Sequence, residues 1–421
     1  MNNNCGSSLV TNPPTAGKYC VWWSDTTTVK RFICDLVAAE FAVLRPSGAM
    51  LPPLPWSLST HLRNDLGADS LELLQIGTAL AEALHLHESG IADYLLARPT
   101  ISDWIAIAQE ALHVFSQAIT FRTSGSTGSA KSCTHTLDSL WEEVLELASL
   151  LTPQQRILSA VPCHHIYGFI FTILLPHALS INAIPVVDLR GSSPASLGQL
   201  VREGDLIIAH PMVWQAAAAT MVTLPSGVVG VTASALCPDS VCAALRNAGL
   251  DRLVQIFGSS ETAGVGWRDN ESAPYTLFRH WHRLANSDND LTRKVSDGDV
   301  VRVTCPDRLA WCDDRHFFSA GRLDAAVQVG GVNVQPSAVR QVLMAHPEIA
   351  DAAVRLMRAD EGARLKAFIV PRDAEVNTVE LQQRLRVWVA KRLTAPEQPK
   401  AFSFGLQCPI GPTGKATDWI I

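Results

Sequence analysis

The chain has 421 residues, of which 47% are hydrophobic and 18% charged, and its formal net charge is −6 at pH 7. This composition is typical of globular domains, and the length leaves room for two to four folding units. The negative charge, with no long basic run, argues against a nucleic-acid partner. The sequence has neither an apolar run of membrane-spanning length nor a signal-peptide pattern, and its ten cysteines form no C-x-x-C pair. These features predict a cytoplasmic protein with free thiols and no membrane span.

The N-terminal quarter has the pattern of a small helical domain. Apolar spacing predicts a helix at residues 28–44 and further helices from Ser70 onward. Asp69 or Ser70 is a suitable helix cap. In this helical context, Gly67-Ala68-Asp69-Ser70-Leu71 also resembles the motif of acyl carrier proteins, whose serine carries 4′-phosphopantetheine. The resemblance implies a carrier domain at residues 27–116 with Ser70 as the attachment site, where a helix N-terminus favours a phosphate.

A run of glycines and small hydroxylated residues at positions 123–131 ends in a lysine. Such a run is either a flexible linker or a turn whose N–H groups bind an anion. The Walker spacing is absent, because no glycine precedes Lys131. The run resembles instead the phosphate loop of adenylate-forming enzymes, which include acyl-CoA synthetases and nonribosomal-peptide adenylation domains. The resemblance implies that the ATP phosphates are bound by Thr123, Ser124, Gly125, Ser126, Thr127, Gly128 and Lys131.

Residues 161–169 contain two adjacent histidines. No third ligand stands at a zinc-like spacing, and a condensation-domain motif would need aspartate in place of Phe169. The segment resembles the acyl-pocket motif of the adenylate-forming family. The resemblance implies a substrate pocket formed by His164, His165, Tyr167 and Phe169. The absence of a nearby acidic residue, which relatives use to pair an ammonium group, argues against an amino-acid substrate.

The segment Phe257-Gly258-Ser259-Ser260-Glu261-Thr262-Ala263-Gly264 resembles the family's Y-G-x-[ST]-E-x-x-G motif. The resemblance implies that Glu261 holds Mg²⁺, that Thr262 approaches the α-phosphate, and that Gly258 and Ser259 belong to the nucleotide site. A carboxylate that shares a magnesium ion with phosphates is the usual arrangement for this metal. The alternative interpretation of the Ser-Ser-Glu-Thr sequence is a helix N-cap with an acidic first turn.

Further segments follow in the order of the family. Cys305-Pro306-Asp307, Gly321-Arg322-Leu323-Asp324 and Thr413-Gly414-Lys415 resemble three of its motifs, and residues 329–336 resemble its glycine loop for thioester formation. The resemblance implies that Asp307 and Arg322 bind the ribose. It also implies that Asp324 marks a hinge and that Lys415 bridges the substrate carboxylate and the α-phosphate.

Together these patterns predict an α/β protein. Short apolar runs at residues 184–189, 206–210 and 228–234 predict buried parallel strands, and a helix is predicted at residues 137–151. The expected order is a four-helix carrier domain followed by a truncated adenylate-forming fold with a large α/β and a small α+β subdomain. The predicted units are a flexible tail at residues 1–26, the carrier domain at 27–116, the adenylation core at 117–321 and a mobile C-terminal subdomain at 322–421.

The expected activity is ATP- and Mg²⁺-dependent activation of an aryl or acyl carboxylic acid as an acyl adenylate, followed by transfer to a phosphopantetheine thiol. The expected partners are the acid, a phosphopantetheinyl transferase, and a carrier protein or downstream synthase. Secondary metabolism, such as polyketide or aryl polyene synthesis, is the expected setting. Two alternatives stay open: a ligase that uses coenzyme A, and a carrier or scaffold whose adenylation part has decayed.

Overall fold

The computed structural model describes residues 21–45, 48, 50–123, 131–151, 154–180, 183–220, 223–294, 298–323, 326–358, 361–409 and 417–421. The N-terminal region contains α1 (Thr26–Leu44), α2 (Ser70–Leu84), α3 (Tyr94–Ala97) and α4 (Ile101–Val114). Asp25 caps α1 by accepting hydrogen bonds from the N–H groups of Thr27 and Thr28. Asp69 and Glu72 form a capping box at α2. Both helices therefore begin where polar side chains satisfy free N–H groups.

A β-hairpin follows the helical region. Its strands, β1 (Ala118–Thr123) and β2 (Lys131–Thr136), pair in antiparallel register, so that the two ends of the predicted phosphate loop lie opposite each other. The helices that follow are α5 (Leu137–Leu151), α6 (Ile166–Phe169), α7 (Leu175–Leu179), α8 (Leu197–Leu200), α9 (Pro211–Ala219) and α10 (Asp239–Asn247). A π-helical segment, Ile170–Leu174, joins α6 to α7.

A nine-stranded sheet forms the centre of the molecule. Its strands are β3 (Arg156–Ser159), β4 (Val186–Asp188), β5 (Asp205–Ala209), β6 (Val229–Thr232), β7 (Arg252–Ser259), β8 (Ala263–Arg268), β9 (Tyr275–Leu277), β13 (Asp307–Trp311) and β14 (His316–Arg322). Their spatial order is β13-β14-β9-β8-β7-β6-β5-β3-β4. The five adjacent strands β7, β6, β5, β3 and β4 are parallel, and the remaining pairs are antiparallel. Every residue of β5 and β6 is buried, as expected for parallel strands covered on both faces.

A small β-sheet and a C-terminal α+β subdomain lie outside the central sheet. An antiparallel sheet contains β10 (His282–Arg283), β11 (Asp290–Lys294) and β12 (Val300–Thr304). The C-terminal subdomain contains β15 (Val327–Val329), β16 (Val332–Val334), α11 (Pro336–Met344), β17 (Ile349–Leu356), β18 (Leu365–Pro371), α12 (Thr378–Ala390) and β19 (Ala401–Phe404). Its apolar side chains form a hydrophobic cluster of their own. The chain thus has the predicted large α/β subdomain followed by a small α+β subdomain.

The N-terminal helices share one hydrophobic cluster with the central sheet. The rings of Trp22 and Phe169 meet edge to face, with centroids 5.4 Å apart. Asp35 of α1 is buried, accepts a hydrogen bond from the N–H of Cys163 at 2.8 Å and pairs with Arg190 at 2.7 Å. The described part of residues 27–116 contains the four predicted helices, and they share this hydrophobic cluster with the following fold instead of forming a separate one.

Most of the predicted elements are present. The helices predicted at residues 28–44, from Ser70 and at residues 137–151 are confirmed as α1, α2 and α5. The three predicted parallel strands are confirmed as β4, β5 and β6; β4 and β6 are shorter than their apolar runs, and β5 is displaced by one residue. None of the helices in the described ranges is both long and apolar enough to cross a lipid bilayer.

Candidate active site

The motif segments meet at one edge of the central sheet. The adjacent histidines follow β3, His210 follows β5, residues 233–236 follow β6, and the turn with Glu261 follows β7. Because β3, β5, β6 and β7 are parallel neighbours, their carboxyl ends lie side by side. Open α/β sheets bind their ligands in the crevice at this edge. This edge is therefore the candidate active site.

The β1–β2 hairpin brings the phosphate-loop motif to the Glu261 turn. Lys131 Nζ lies 3.1 Å from Glu261 Oε1. Further along β2, His135 Nε2 lies 2.7 Å from the carbonyl oxygen of Ser260. Residues 124–130 lie outside the described residues, and for Thr123 only its place at the end of β1 is described. The phosphate contacts of Ser124, Gly125, Ser126, Thr127 and Gly128 therefore stay predictions.

Glu261 lies in the tight turn between the antiparallel strands β7 and β8. The alternative of a helix N-cap is wrong, because no helix begins here. The N–H of Ser259 donates to the Thr262 hydroxyl at 3.1 Å, and that hydroxyl donates to the Ala263 carbonyl at 2.9 Å. A Cβ atom on Gly258 would lie 2.2 Å from the same carbonyl oxygen, so the turn requires glycine there. The Thr262 hydroxyl is used within the turn, and its contact with an α-phosphate stays a prediction.

The electrostatics of the turn suit a magnesium ion. Burial alone would raise the pKa of Glu261, but its own N–H, the Lys131 ammonium and the Ser259 hydroxyl together lower the pKa. The carboxylate is therefore ionised at neutral pH. Mg²⁺ keeps several waters and is held by one or two carboxylates together with substrate phosphates. In the described ranges, no group of three or more His, Cys, Asp or Glu side chains could hold a metal by itself. The single carboxylate of Glu261 fits a Mg²⁺ ion that is bound together with ATP.

Asp307 and Arg322, predicted to bind the ribose, face each other across β13 and β14. Arg322 Nη1 lies 3.9 Å from Asp307 Oδ2, and both side chains are largely buried. Burial raises the pKa of the nearby Cys305 thiol to about 12, and the charges of Asp307 and Glu261 also raise it. In the central sheet, β14 with Arg322 is separated from β8, which follows the Glu261 turn, by β9 alone.

The predicted acyl pocket is divided between the cleft and the core. The rings of His164 and His165 have centroids 4.1 Å apart and planes tilted by 44° to each other. His165 is exposed to solvent, and desolvation lowers the pKa of its ring. The Tyr167 hydroxyl donates to the carbonyl oxygen of Val231 at 3.1 Å, and Phe169 is fully buried in the main hydrophobic cluster. Of the four side chains, His165 is therefore exposed, whereas Phe169 belongs to the core.

The turn between β15 and β16 contacts the same edge of the sheet. A Cβ atom on Gly331 would lie 3.0 Å from His210 Nδ1. Gly331 has a φ of +83°, a conformation that glycine adopts without strain. The His210 and Tyr167 rings have centroids 5.8 Å apart, so the predicted glycine loop lies beside the cleft. Asp324 and Lys415 lie outside the described residues, and their roles stay predictions.

Ser70 is the exposed first residue of α2. Its hydroxyl oxygen accepts a hydrogen bond from Arg63 Nη1 at 3.2 Å. Asp69 caps the helix directly before it. The local geometry agrees with the simpler interpretation of this sequence, an exposed serine at a capped helix start.

Two buried side chains at this edge were not identified from the sequence. His210 Nδ1 is buried and, among the described residues, has no hydrogen-bond partner; burial lowers the His210 pKa to about 4. Glu143 Oε2 accepts a hydrogen bond from the Gly264 N–H at 2.9 Å. The signals were a histidine at the end of a predicted parallel strand and a charged residue on the apolar stripe of a helix, between Leu140 and Leu147.

Comparisons with known proteins identify the family. A family model described as AMP-binding enzyme matches residues 82–286, and one described as AMP-binding enzyme C-terminal domain matches residues 338–415. A 4-coumarate--CoA ligase of Halorhodospira halophila is 34% identical over 390 residues, which cover 92% of this chain and 97% of the relative. A 4-coumarate--CoA ligase of Rhodobacter capsulatus is 35% identical and covers 93% of this chain and 100% of the relative.

The solved structure of the amide bond synthetase McbA from Marinactinospora thermotolerans has the same fold. It aligns over 92% of both chains with a TM-score of 0.57 and 16% identity. Because the match covers 92% of this chain, it must include most of the helical region at residues 27–116. The chain is also comparable in length to these ligases. The sequence had predicted instead a shortened fold with an added carrier domain. From the two family models and these near-full-length relatives, we conclude that the chain belongs to the AMP-binding enzymes and is an AMP-forming acid–thiol ligase.

Proposed function

We propose that the chain activates an aryl or acyl carboxylic acid with ATP and Mg²⁺ and transfers the acyl group to the thiol of coenzyme A. The observation that carries the proposal is the 3.1 Å contact between Lys131 and Glu261. This contact joins the lysine that ends the phosphate-loop motif to the carboxylate of the magnesium motif. Relatives named 4-coumarate--CoA ligase, matched over nearly their whole length, favour coenzyme A as the acceptor.

In the first step, a carboxylate oxygen attacks the α-phosphorus of ATP and pyrophosphate leaves. Because two anions must meet, cations and oriented N–H groups supply most of the stabilisation. Lys131 would hold the β- and γ-phosphates, and Glu261 would hold a Mg²⁺ ion, which would supply neutralisation of phosphate charge. Asp307 accepts hydrogen bonds from the ribose hydroxyls, beside Arg322. Lys415 stabilises the charge that passes from the carboxylate to the α-phosphate.

In the second step, the thiol sulfur attacks the carbonyl carbon of the acyl adenylate. The carbon–sulfur bond forms, AMP leaves with the electrons of the carbon–oxygen bond, and the thiol proton is lost to solvent. We assign the Gly330–Gly331 turn to this step, because it contacts His210 beside the cleft. The turn belongs to the C-terminal subdomain, so a rotation of that subdomain between the steps would move the turn into or out of the cleft.

The acid is expected to be uncharged apart from its carboxylate. Residues 161–169 contain no acidic side chain that could pair a substrate ammonium group. The neighbouring rings of His164 and His165 supply aromatic surface, which suits an aromatic or unsaturated acid. The names of the relatives point in the same direction.

A panel of carboxylic acids tests two points together: whether coenzyme A is the acyl acceptor, and whether the chain is a decayed scaffold without ligase activity. The panel contains 4-coumarate, cinnamate, benzoate and short fatty acids, and the readouts are pyrophosphate release and the intact masses of products and protein. We expect acid-dependent pyrophosphate release and an acyl-CoA product. The Ser70→Ala variant should behave like the wild type. If a phosphopantetheinyl transferase adds an arm that becomes acylated on Ser70, the carrier interpretation replaces coenzyme A. Without acid-dependent pyrophosphate release, the decayed scaffold is the better account.

A further inference from the structure

Glu143 is a buried carboxylate that neither chemical step uses. It is 1% exposed, and its Oε2 accepts the Gly264 N–H at 2.9 Å. The carbonyl of the same glycine accepts a hydrogen bond from Trp281 Nε1 at 2.8 Å. A Cβ atom on Gly264 would lie 2.4 Å from Glu143 Oε1, so the carboxylate packs directly on the backbone. Burial of a carboxylate is costly unless hydrogen bonds compensate, which makes this contact a candidate for a specific role.

The backbone next to this contact has an unfavourable conformation. Ala263 has a φ of +58°, in the left-handed region that residues with a side chain rarely adopt. Such a conformation costs about 1–3 kcal/mol and persists only where surrounding contacts enforce it. His135 holds the Ser260 carbonyl before Ala263, and Glu143 holds the Gly264 N–H after it. Glu261 stands between these two fixed points.

We infer that Glu143 is a positioning residue for magnesium–ATP, because its hold on Gly264 keeps the turn in the conformation that directs Glu261 toward Lys131. The inference rests on the proposed function, which gives Glu261 a magnesium-bound nucleotide to hold. Removal of the acceptor leaves a buried N–H without a partner and lets Ala263 relax toward an ordinary backbone conformation. The expected loss is confined to the magnesium-dependent part of nucleotide binding.

Isothermal titration calorimetry with the α,β-methylene analogue of ATP, which does not react, measures the magnesium-dependent part of nucleotide affinity directly. Each protein is titrated with and without Mg²⁺. Glu143→Leu removes the acceptor, and Glu143→Asp withdraws it by one methylene. Both should lose roughly tenfold or more of the magnesium-dependent affinity and bind like the wild type without Mg²⁺, as expected when one buried hydrogen bond is lost. Glu143→Gln keeps an acceptor oxygen for Gly264 and should recover most of the affinity.

Leu147→Ala is the matched control, because it removes fully buried side-chain volume from the same helix. The inference is overturned if Glu143→Leu and Glu143→Asp keep the wild-type magnesium dependence, or lose no more of it than Leu147→Ala does. If Glu143→Leu does not fold, the comparison of Glu143→Asp with Glu143→Gln decides. Failure of the proposed function has another signature: the wild type then gains no affinity from Mg²⁺ and releases no pyrophosphate with any acid.

Discussion

Lys131 and Glu261 are separated by 130 positions in the sequence, yet Nζ of the first lies 3.1 Å from Oε1 of the second. The pair joins the hairpin that carries the phosphate-loop motif to the turn that follows β7. It is partly exposed, so it contributes little to stability and remains accessible to a ligand. Such a pair is suited to exchange its internal contact for a magnesium ion and the phosphates of ATP.

Glu261→Gln should weaken the use of Mg²⁺-ATP, because a neutral amide is a poor magnesium ligand. The KM for ATP should rise by about tenfold, as expected when one charged contact to the bound metal–nucleotide is lost, and a tenfold higher Mg²⁺ concentration should recover part of the loss. Glu271→Gln is the control, because that carboxylate pairs with Arg246 at the other end of β8. A defect that does not respond to Mg²⁺ would mean that Glu261 serves the turn alone.

Gly331→Ala should separate the two chemical steps. The added Cβ would lie 3.0 Å from His210 Nδ1 and would require a strained φ of +83°. Thioester formation should fall by roughly tenfold or more, since a small displacement of a positioning element is costly. Acyl adenylate, trapped with hydroxylamine, should form at nearly the wild-type rate. Gly298→Ala is the control, because Gly298 has a φ of +87° with nothing near its Cβ position. Equal losses in both steps would contradict the assignment of this turn.

Asp35→Ala should destabilise the whole fold rather than an N-terminal unit. Asp35 is buried, accepts the Cys163 N–H at 2.8 Å and pairs with Arg190. Loss of one partner of a buried ion pair costs about 3–5 kcal/mol. Urea unfolding followed by circular dichroism should show a lower midpoint. Asp93→Ala, at an exposed position, should change stability by no more than about 0.5 kcal/mol. Similar midpoints for the two variants would show that α1 is not tied to the sheet in this way.

Glu143→Gln should change how stability depends on pH. Burial raises the pKa of Glu143 from its ordinary value of 4.5 to about 7, although the Gly264 N–H and the charge of Arg293 lower it. Between these values the folded protein keeps a proton that the unfolded chain has lost. The stability contribution of this group is therefore fully present below pH 4.5 and is lost as the pH rises through about 7.

The glutamine variant has no proton to lose at this position. Relative to the wild type, its free energy of unfolding should improve by about 3 kcal/mol between pH 4.5 and pH 8. Urea titrations of both proteins at the two pH values measure this difference. A difference between the variants that stays constant with pH would contradict a raised pKa for Glu143.

The candidate site could be predicted from the sequence where a single motif implies a single role. The turn with Glu261 and the run that ends in Lys131 could be predicted to share a nucleotide site, because both resemble motifs of one family. The histidine segment was only partly predictable, since burial of Phe169 beside an accessible His165 depends on what packs against α6.

The N-terminal helices show the limit of the sequence. Asp69-Ser70-Leu71 forms a good helix cap in any context, so local chemistry could not separate a carrier domain from an integral part of the ligase. The distinction depends on tertiary contacts such as Asp35 with Cys163, 128 positions apart in the sequence. Glu143 could be noticed as a charge on an apolar stripe, but its partner Gly264 is 121 positions away in the sequence and is brought to it only by the fold.

The most direct test of the account is a single reaction mixture of the protein, ATP, Mg²⁺, 4-coumarate and coenzyme A, analysed by mass spectrometry for AMP and 4-coumaroyl-CoA. Omission of coenzyme A, with pyrophosphate as the readout, isolates the first step, and replacement of the acid across the panel defines its class. AMP and an acyl-CoA are expected in equal amounts for at least one acid. AMP formation without any acyl-CoA would contradict coenzyme A as the acceptor. No acid-dependent AMP or pyrophosphate with any acid of the panel would contradict the central claim.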